Sequence, residues 1–248
     1  MAETKVTPVT TTTATPETNE AIIKAKGFWD KYSKPIIYVG SAVILLIGGF
    51  YAYQNFIKLP KEKTANETIF PAEAIFDKMT TGDFTKDSVN IALNGGTVDG
   101  KTITGLLKII SNYGGTKAGN RAKYMAGASY LHIGEFDKAI KYLKEFDGNG
   151  ADQVQSKAYL MIGHAYAEKK TTDDALSFYK KAASVNEKDE SITPEALMMA
   201  ASYAQAMGKS KDAIELYKKL KDKYPTSTVV SNGEVDKQLA SLGDFTDN

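Results

Sequence analysis

The chain has 248 residues, 42% of them apolar and 25% charged, with a formal net charge of +1 and no cysteine. That composition is globular and excludes a disordered or collagen-like polymer, a disulfide framework, a thiolate nucleophile and a cysteine-ligated zinc. The near-zero charge gives no electrostatic footprint for nucleic acid, and two histidines leave little material for histidine-based metal or relay chemistry.

In chain order, residues 1–18 hold eight threonines and two prolines. They carry almost no bulky apolar side chain to offset ordering entropy, so a disordered tail is expected. Residues 19–34 mix Ile22, Ile23, Phe28, Trp29 and Tyr32 with Lys24, Lys26, Lys31 and Lys34. They read as a short amphipathic segment on a membrane surface, or as a loosely helical juxtamembrane linker, because Gly27 interrupts them.

Residues 35–57 are 23 consecutive uncharged residues, enough for a helix to cross a hydrocarbon core of about 30 Å. Tyr38, Tyr51, Tyr53 and Phe56 stand towards the two ends, where aromatic rings favour the interface. The competing reading is a buried core helix. A cleaved signal peptide fits less well, because the run exceeds an h-region of about 7–15 residues and no small-x-small cleavage site follows. An uncleaved signal anchor is therefore expected. Lys24, Lys26, Lys31 and Lys34 precede it and Lys58, Lys61 and Lys63 follow, so the positive-inside rule leaves the orientation nearly tied. A cytoplasmic N-terminus is favoured, since a long C-terminal domain translocates largely regardless of charge.

The first 58 residues carry six lysines and four acids, which leaves 25 basic and 26 acidic residues beyond them. Residues 60–119 read as a helical linker and degenerate N-terminal repeat or cap, with helices over 72–80, 86–93 and 102–113. Three segments then superpose on Ala139, Ala175 and Ala213, at offsets of 36 and 38 residues. Small residues at Gly127, Gly163 and Ala201 allow close helix approach, Tyr130 and Tyr166 fill the space beside them, and Gly134 and Gly208 occupy turns where a left-handed backbone costs glycine little. Pro225 ends the third unit. Residues 228–248 read as a capping helix over 231–242 and a frayed tail.

These residues resemble the tetratricopeptide repeat, a helix-turn-helix unit of about 34 residues, over 120–153, 156–189 and 194–227. The fold class expected is all-α: a single N-terminal transmembrane helix followed by a tetratricopeptide-repeat α-solenoid. The signature aromatic is replaced by Lys123 and Leu197 in two repeats, and Ala204 stands where tyrosine is usual.

No catalytic, cofactor-binding or metal-binding residue is expected, and the protein is not read as an enzyme. Gly114-Gly115-Thr116-Lys117-Ala118-Gly119 lacks the Gly-Lys-Ser/Thr ending of a phosphate loop. His132 and His164 fall on different faces of successive repeats, without a repeating acidic partner. Asn66-Glu67-Thr68 fits a glycosylation sequon, and Asp87-Ser88-Val89 is similar to a short bacterial O-glycosylation motif.

The repeat resemblance implies a curved stack whose first helices line a concave, protein-binding face. It places the lining at Arg121, Tyr124, Ala128 and Leu131, at Lys157, Leu160, His164 and Ala167, and at Glu195, Met198, Ser202 and Gln205. The Lys/Asn carboxylate clamp of chaperone-tail-binding members is absent, because the Asn positions are Ala128, His164 and Ser202. Some of this lining is open to cover by the chain's own cap or by residues 69–79. A short tail, one anchor and a C-terminal repeat domain resemble the YfgM family of bacterial inner-membrane proteins, as do Tyr113–Ala122 and Lys223–Ser227. That resemblance implies a periplasmic domain, with the Sec translocon and a membrane-anchored chaperone of the PpiD type as partners. A cytoplasm-facing tetratricopeptide receptor and a cell-division or envelope coordinator scaffold remain the alternatives.

Overall fold

The computed structural model describes residues 16–82 and 84–245, in two compact units that divide after Leu59. Most of the Thr-rich tail, through residue 15, and the last three residues lie outside the described residues.

The first unit is helical. One helix, α1 (Pro16–Tyr53), takes in the amphipathic segment and most of the uncharged run, and neither Gly27 nor Pro35 ends it. A π-helical turn over Gln54–Lys58 follows, in which the Leu59 N–H donates to the Gln54 carbonyl. The change of bonding falls immediately ahead of Pro60, which has no N–H and crowds the preceding turn. Through the uncharged run the side chains are open: Ile44, Leu45 and Leu46 are 71, 75 and 73% exposed. A core helix would bury them. The chain therefore carries a helix long and apolar enough to cross a membrane, with none of its most apolar window buried.

The second unit is a helical array with a small hairpin near its start. Its first helix, α2 (Leu59–Thr81), is longer than the expected 72–80 and keeps Pro71 inside. Ala65, Ile69, Ala72, Phe76 and Met79 are buried along one face, at the three-and-four spacing of an amphipathic helix. Next, α3 (Lys86–Asn94) is capped by Thr85, whose side chain accepts from the Ser88 N–H. The helix expected over 102–113 is then only half present. Gly95–Val98 (β1) and Lys101–Thr104 (β2) pair antiparallel, and α4 spans only Leu106–Tyr113. Between the strands Asp99 and Gly100 both take positive φ, 49° and 73°, the type I′ geometry that suits the twist of a two-residue hairpin. The buried Ile103 and half-buried Val98 join the core beside α2 and α5, which gives the hairpin its purpose.

Three helix pairs follow: α5 (Lys117–His132) with α6 (Phe136–Lys144), α7 (Asp152–Glu168) with α8 (Thr172–Ser184), and α9 (Thr193–Ala206) with α10 (Ser210–Lys223). Each pair turns in the same way. The Glu135, Thr171 and Lys209 N–H groups donate back to the carbonyls of Tyr130, Tyr166 and Ala204 at 2.9, 3.0 and 2.9 Å, the long bond of a Schellman ending. The left-handed position ahead of each donor is Gly134, Lys170 or Gly208, at φ 77°, 60° and 71°. Repeat two thus holds a lysine where its neighbours have glycine. Within each pair the helices approach at the small residue: a Cβ on Gly127 would lie 2.5 Å from Leu143 Cγ, and one on Gly163 would lie 2.6 Å from the Tyr179 ring. The array closes with α11 (Thr228–Ser231) and α12 (Glu234–Ser241) in place of one capping helix, because Gly233 turns the chain at φ 77°. In the expected frayed tail, Asp244 pairs with Lys218 at 2.7 Å.

Two substitutions in repeat two should move stability in opposite directions. Lys170→Gly relieves a left-handed lysine and should raise the stability of residues 60–248 by about 0.5–1 kcal/mol. Gly163→Leu drives a side chain into Tyr179 and should lower it by about 1–3 kcal/mol or more. Thermal unfolding of the two variants beside the parent checks both signs.

Candidate functional site

The positions that the repeat resemblance assigns to a concave lining lie on α5, α7 and α9, and they differ in how open they are. Arg121, Lys157 and Glu195, near the starts of these helices, are exposed. Tyr124, Leu131, His164, Ala167, Met198, Ser202 and Gln205 are half-buried. Ala128 and Leu160 are buried, at 5 and 6% exposure. Leu160 belongs to the core around α8 and α9, so its removal would open a cavity and not merely strip a surface. Tyr124 leans on Phe146, ring centroids 5.2 Å apart, and burial raises its hydroxyl pKa.

The first repeat is engaged from within its own unit. Arg121 donates from Nε to Glu73 at 2.7 Å and from Nη2 to Asn66 at 3.1 Å, both on α2. Glu62, also on α2, accepts from the Lys117 N–H at 3.0 Å, placing a carboxylate at the electropositive N-terminus of α5. Beside it Thr116 caps the helix, accepting from the Gly119 N–H at 3.0 Å. The glycine-rich stretch is thus a tight α4–α5 corner, and the chain's own carboxylate fills its anion position. Asn66, the sequon asparagine, sits inside a helix with its side chain already bonded to Arg121. Ser88 lies in the first turn of α3 as the partner of Thr85. His132 stacks on Phe84 at 3.6 Å, and burial lowers its pKa.

In repeats two and three the lining side chains rest on tyrosines of the second helices. Tyr179, from α8, lies 3.0 Å from Nδ1 of His164. Tyr217, from α10, lies 3.1 Å from Ser202 Oγ and donates to Gln205 Oε1 at 2.9 Å. With the Tyr217 proton committed to Gln205, Ser202 is the donor in the first of these bonds. Gln205 Nε2 then donates to Ser241 of α12 at 3.1 Å, and Ser241 to the Gln238 carbonyl at 2.7 Å. A directed chain of hydrogen bonds therefore runs from Ser202 on α9 into the C-terminal cap. These tyrosines were missed as site residues. The available signal was spacing: Tyr179 and Tyr217 stand 16 residues after Gly163 and Ala201, as Leu143 stands after Gly127.

Ion pairs tie successive repeats on their outer surfaces. Lys169 pairs with Asp137, Lys209 with Asp173 at 2.6 Å and Lys180 with Asp212 at 3.1 Å. Exposed pairs of this kind add little stability singly. Glu187, in the link between repeats two and three, accepts from both Lys219 and Lys223 at 2.8 and 2.6 Å. These lysines hold its carboxyl down to about 2, and the Tyr224 hydroxyl donates to its carbonyl at 2.6 Å.

Fold and face together define the class: a tetratricopeptide-type α-solenoid preceded by a helix fit to span a membrane. Family models described as tetratricopeptide repeat match residues 121–147 and 195–227 and residues 156–189. Comparison with curated proteins found no match. Such repeats are protein-interaction modules, their stacked helices forming extended concave binding surfaces.

Glu187 gives a pH test of the repeat junction. Its folded value lies below the ordinary 4.5, so its contribution is present above that value and is lost as pH falls through the folded one. Glu187→Gln should flatten the fall in melting temperature of residues 60–248 between about pH 4.5 and about pH 2. High salt should flatten the parent's curve in the same window by screening the two lysines.

Proposed function

We propose that this protein is a membrane-tethered scaffold whose repeat array holds segments of partner or client proteins. In this reading it is a periplasmic accessory of the Sec export machinery in a bacterial inner membrane, working beside a membrane-anchored chaperone of the PpiD type. Its N-terminus is cytoplasmic and its repeat domain periplasmic. The observation that carries the reading is the union of two features in one chain: 23 uncharged residues with open side chains, and a well-packed repeat array. A free repeat domain has no use for such a helix, and an anchored one is tethered to the membrane.

The resemblance of the layout to the YfgM family supports the export assignment. The proposed lining favours protein binding over small-molecule chemistry: its inner positions are neutral polar and apolar side chains, resting on tyrosines in repeats two and three, with Arg121, Lys157 and Glu195 near the helix starts. On this reading the contact residues are Tyr124, Met198, His164, Ser202 and Gln205, with Arg121 and Lys157 at the rim. Leu131, also half-buried, belongs with the contacts, and Leu160 and Ala128 support them from beneath.

Arginines at Ile44 and Leu46 should abolish membrane retention, since each costs at least about 2.5 kcal/mol at a helix centre. Retention of this variant through alkaline extraction would end the single-span reading. A reporter fused after Asn248 should be active outside the cytoplasm; activity inside would favour the cytoplasm-facing receptor. Translocon subunits should co-purify with the parent after gentle detergent extraction. Tyr124→Ser with Met198→Ser should weaken that recovery while the domain still folds, because neither side chain is fully buried.

A further inference from the structure

The amphipathic segment at residues 19–34 is part of α1, which runs unbroken through Gly27 and Pro35. That decides what can cover its apolar side chains. A helix bends gently, and a proline kinks it by tens of degrees, not through the right angle needed to lie on a membrane that its own continuation crosses. At about 1.5 Å per residue, Trp29 stands about 9 Å and Ile22 about 20 Å beyond Pro35 along the axis. The headgroup layer is only about 5–8 Å thick on each side. With residues 35–57 in the hydrocarbon, Ile22 and Ala25 therefore stand in water, out of reach of lipid.

The apolar side chains of this segment have heptad spacing. Ile22, Ala25, Trp29 and Tyr32 follow in steps of three and four, and the steps continue through Ile36, Val39, Val43, Leu46 and Phe50. Inside the uncharged run any register is apolar, so the first four positions carry the information. Six charged residues lie between 19 and 34, and none falls on this row. Lys24 instead pairs with Glu20 at 2.9 Å. Phe28 widens the row by packing on Tyr32, ring centroids 4.9 Å apart. All four row residues are exposed.

We propose that this row is the seam of a parallel coiled coil between two copies of the chain, running from Ile22 into the membrane. A second copy is the occupant that the anchor selects. Every copy crosses in the same direction and at the same depth, so two rows meet parallel and level with no further specification. Alternating steps of three and four give the seam of a left-handed pair. Two heptads outside the membrane are too short to hold helices together in water, and continuation through the span supplies the rest. The inference rests on the single-span reading of residues 35–57 and is independent of the concave face.

Two measurements on the full-length chain in membranes decide this. The chain has no cysteine, so single cysteines can be oxidised across the seam with copper phenanthroline. Ile22→Cys, Ala25→Cys, Trp29→Cys and Tyr32→Cys should form disulfide-linked dimers at least about threefold more readily than Lys24→Cys and Lys31→Cys, which face away. Even yields along the segment, or a maximum at Lys24→Cys or Lys31→Cys, overturn the seam and leave the anchor standing. So does the absence of dimer from chain that resists alkaline extraction. Loss of the parent from the alkali-resistant fraction overturns the anchor, and the seam with it.

The second measurement uses Trp29, the only tryptophan, in chain reconstituted into vesicles of phosphatidylethanolamine and phosphatidylglycerol. At high protein density Trp29 should be shielded from acrylamide. Quenching should strengthen at least about twofold as added lipid separates the copies, because association follows mass action. Ala25→Lys sets like charges against each other on the seam and should be quenched strongly at every density. Shielding that persists through dilution means that lipid covers Trp29, and overturns the seam. Strong quenching of the parent at every density overturns it too.

Discussion

The structure depends on one steric constraint: the first helix of each pair must present no more than a methyl group to a large side chain of the second. Gly127 faces Leu143 and Gly163 faces Tyr179 at distances that leave no room for a Cβ; Ala201 stands at the same place opposite Tyr217. The approach fixes how the two helices pack and so how each pair meets the next. It also decides which second-helix side chain meets each first helix. Where the large side chain is leucine, the contact is only packing. Where it is tyrosine, the ring packs and its hydroxyl emerges between the lining side chains, and the same contact that builds the fold sets their hydrogen bonding. In repeat three that bonding continues through Gln205 and Ser241 into the capping helix.

Much of this was legible in the sequence. The repeat period survives because it is enforced by the small-residue approach and by the turn geometry, both local to about 34 residues. The uncharged run was legible because a membrane span is defined by length and the absence of charge. What was missed was non-local or outweighed by a stronger local signal. The hairpin was written in Asp99-Gly100, a type I′ dipeptide, but Thr102 and Ile103 were absorbed into the apolar pattern of Leu106–Tyr113. The docking of α2 rests on Glu62, Asn66 and Glu73 meeting Lys117 and Arg121 some 50 residues later, and no short-range rule encodes such pairs.

The lining residues show the limit most clearly. The repeat resemblance implies twelve lining positions along the first helices, yet it does not distinguish Met198, half-buried, from Leu160, drawn into the core. The difference comes from what lies across from each. Leu160 faces the packed layer of α8 and α9, a tertiary fact. Lys170 carries the converse lesson. It holds a left-handed turn that glycine holds in the neighbouring repeats, so the flanking helices impose the geometry even where the local residue resists it.

We propose that the first-helix row, and not the outer surface, is the face that other proteins occupy. The absence of native cysteine makes this directly measurable by single-cysteine labelling. Lys157→Cys on the row and Ser177→Cys on the exposed side of α8 would each be reacted with a maleimide in opened native membranes and again after detergent has stripped associated proteins. Lys157→Cys should react slowly in membranes and quickly after stripping, while Ser177→Cys should react alike in both. Protection confined to Ser177→Cys would contradict it.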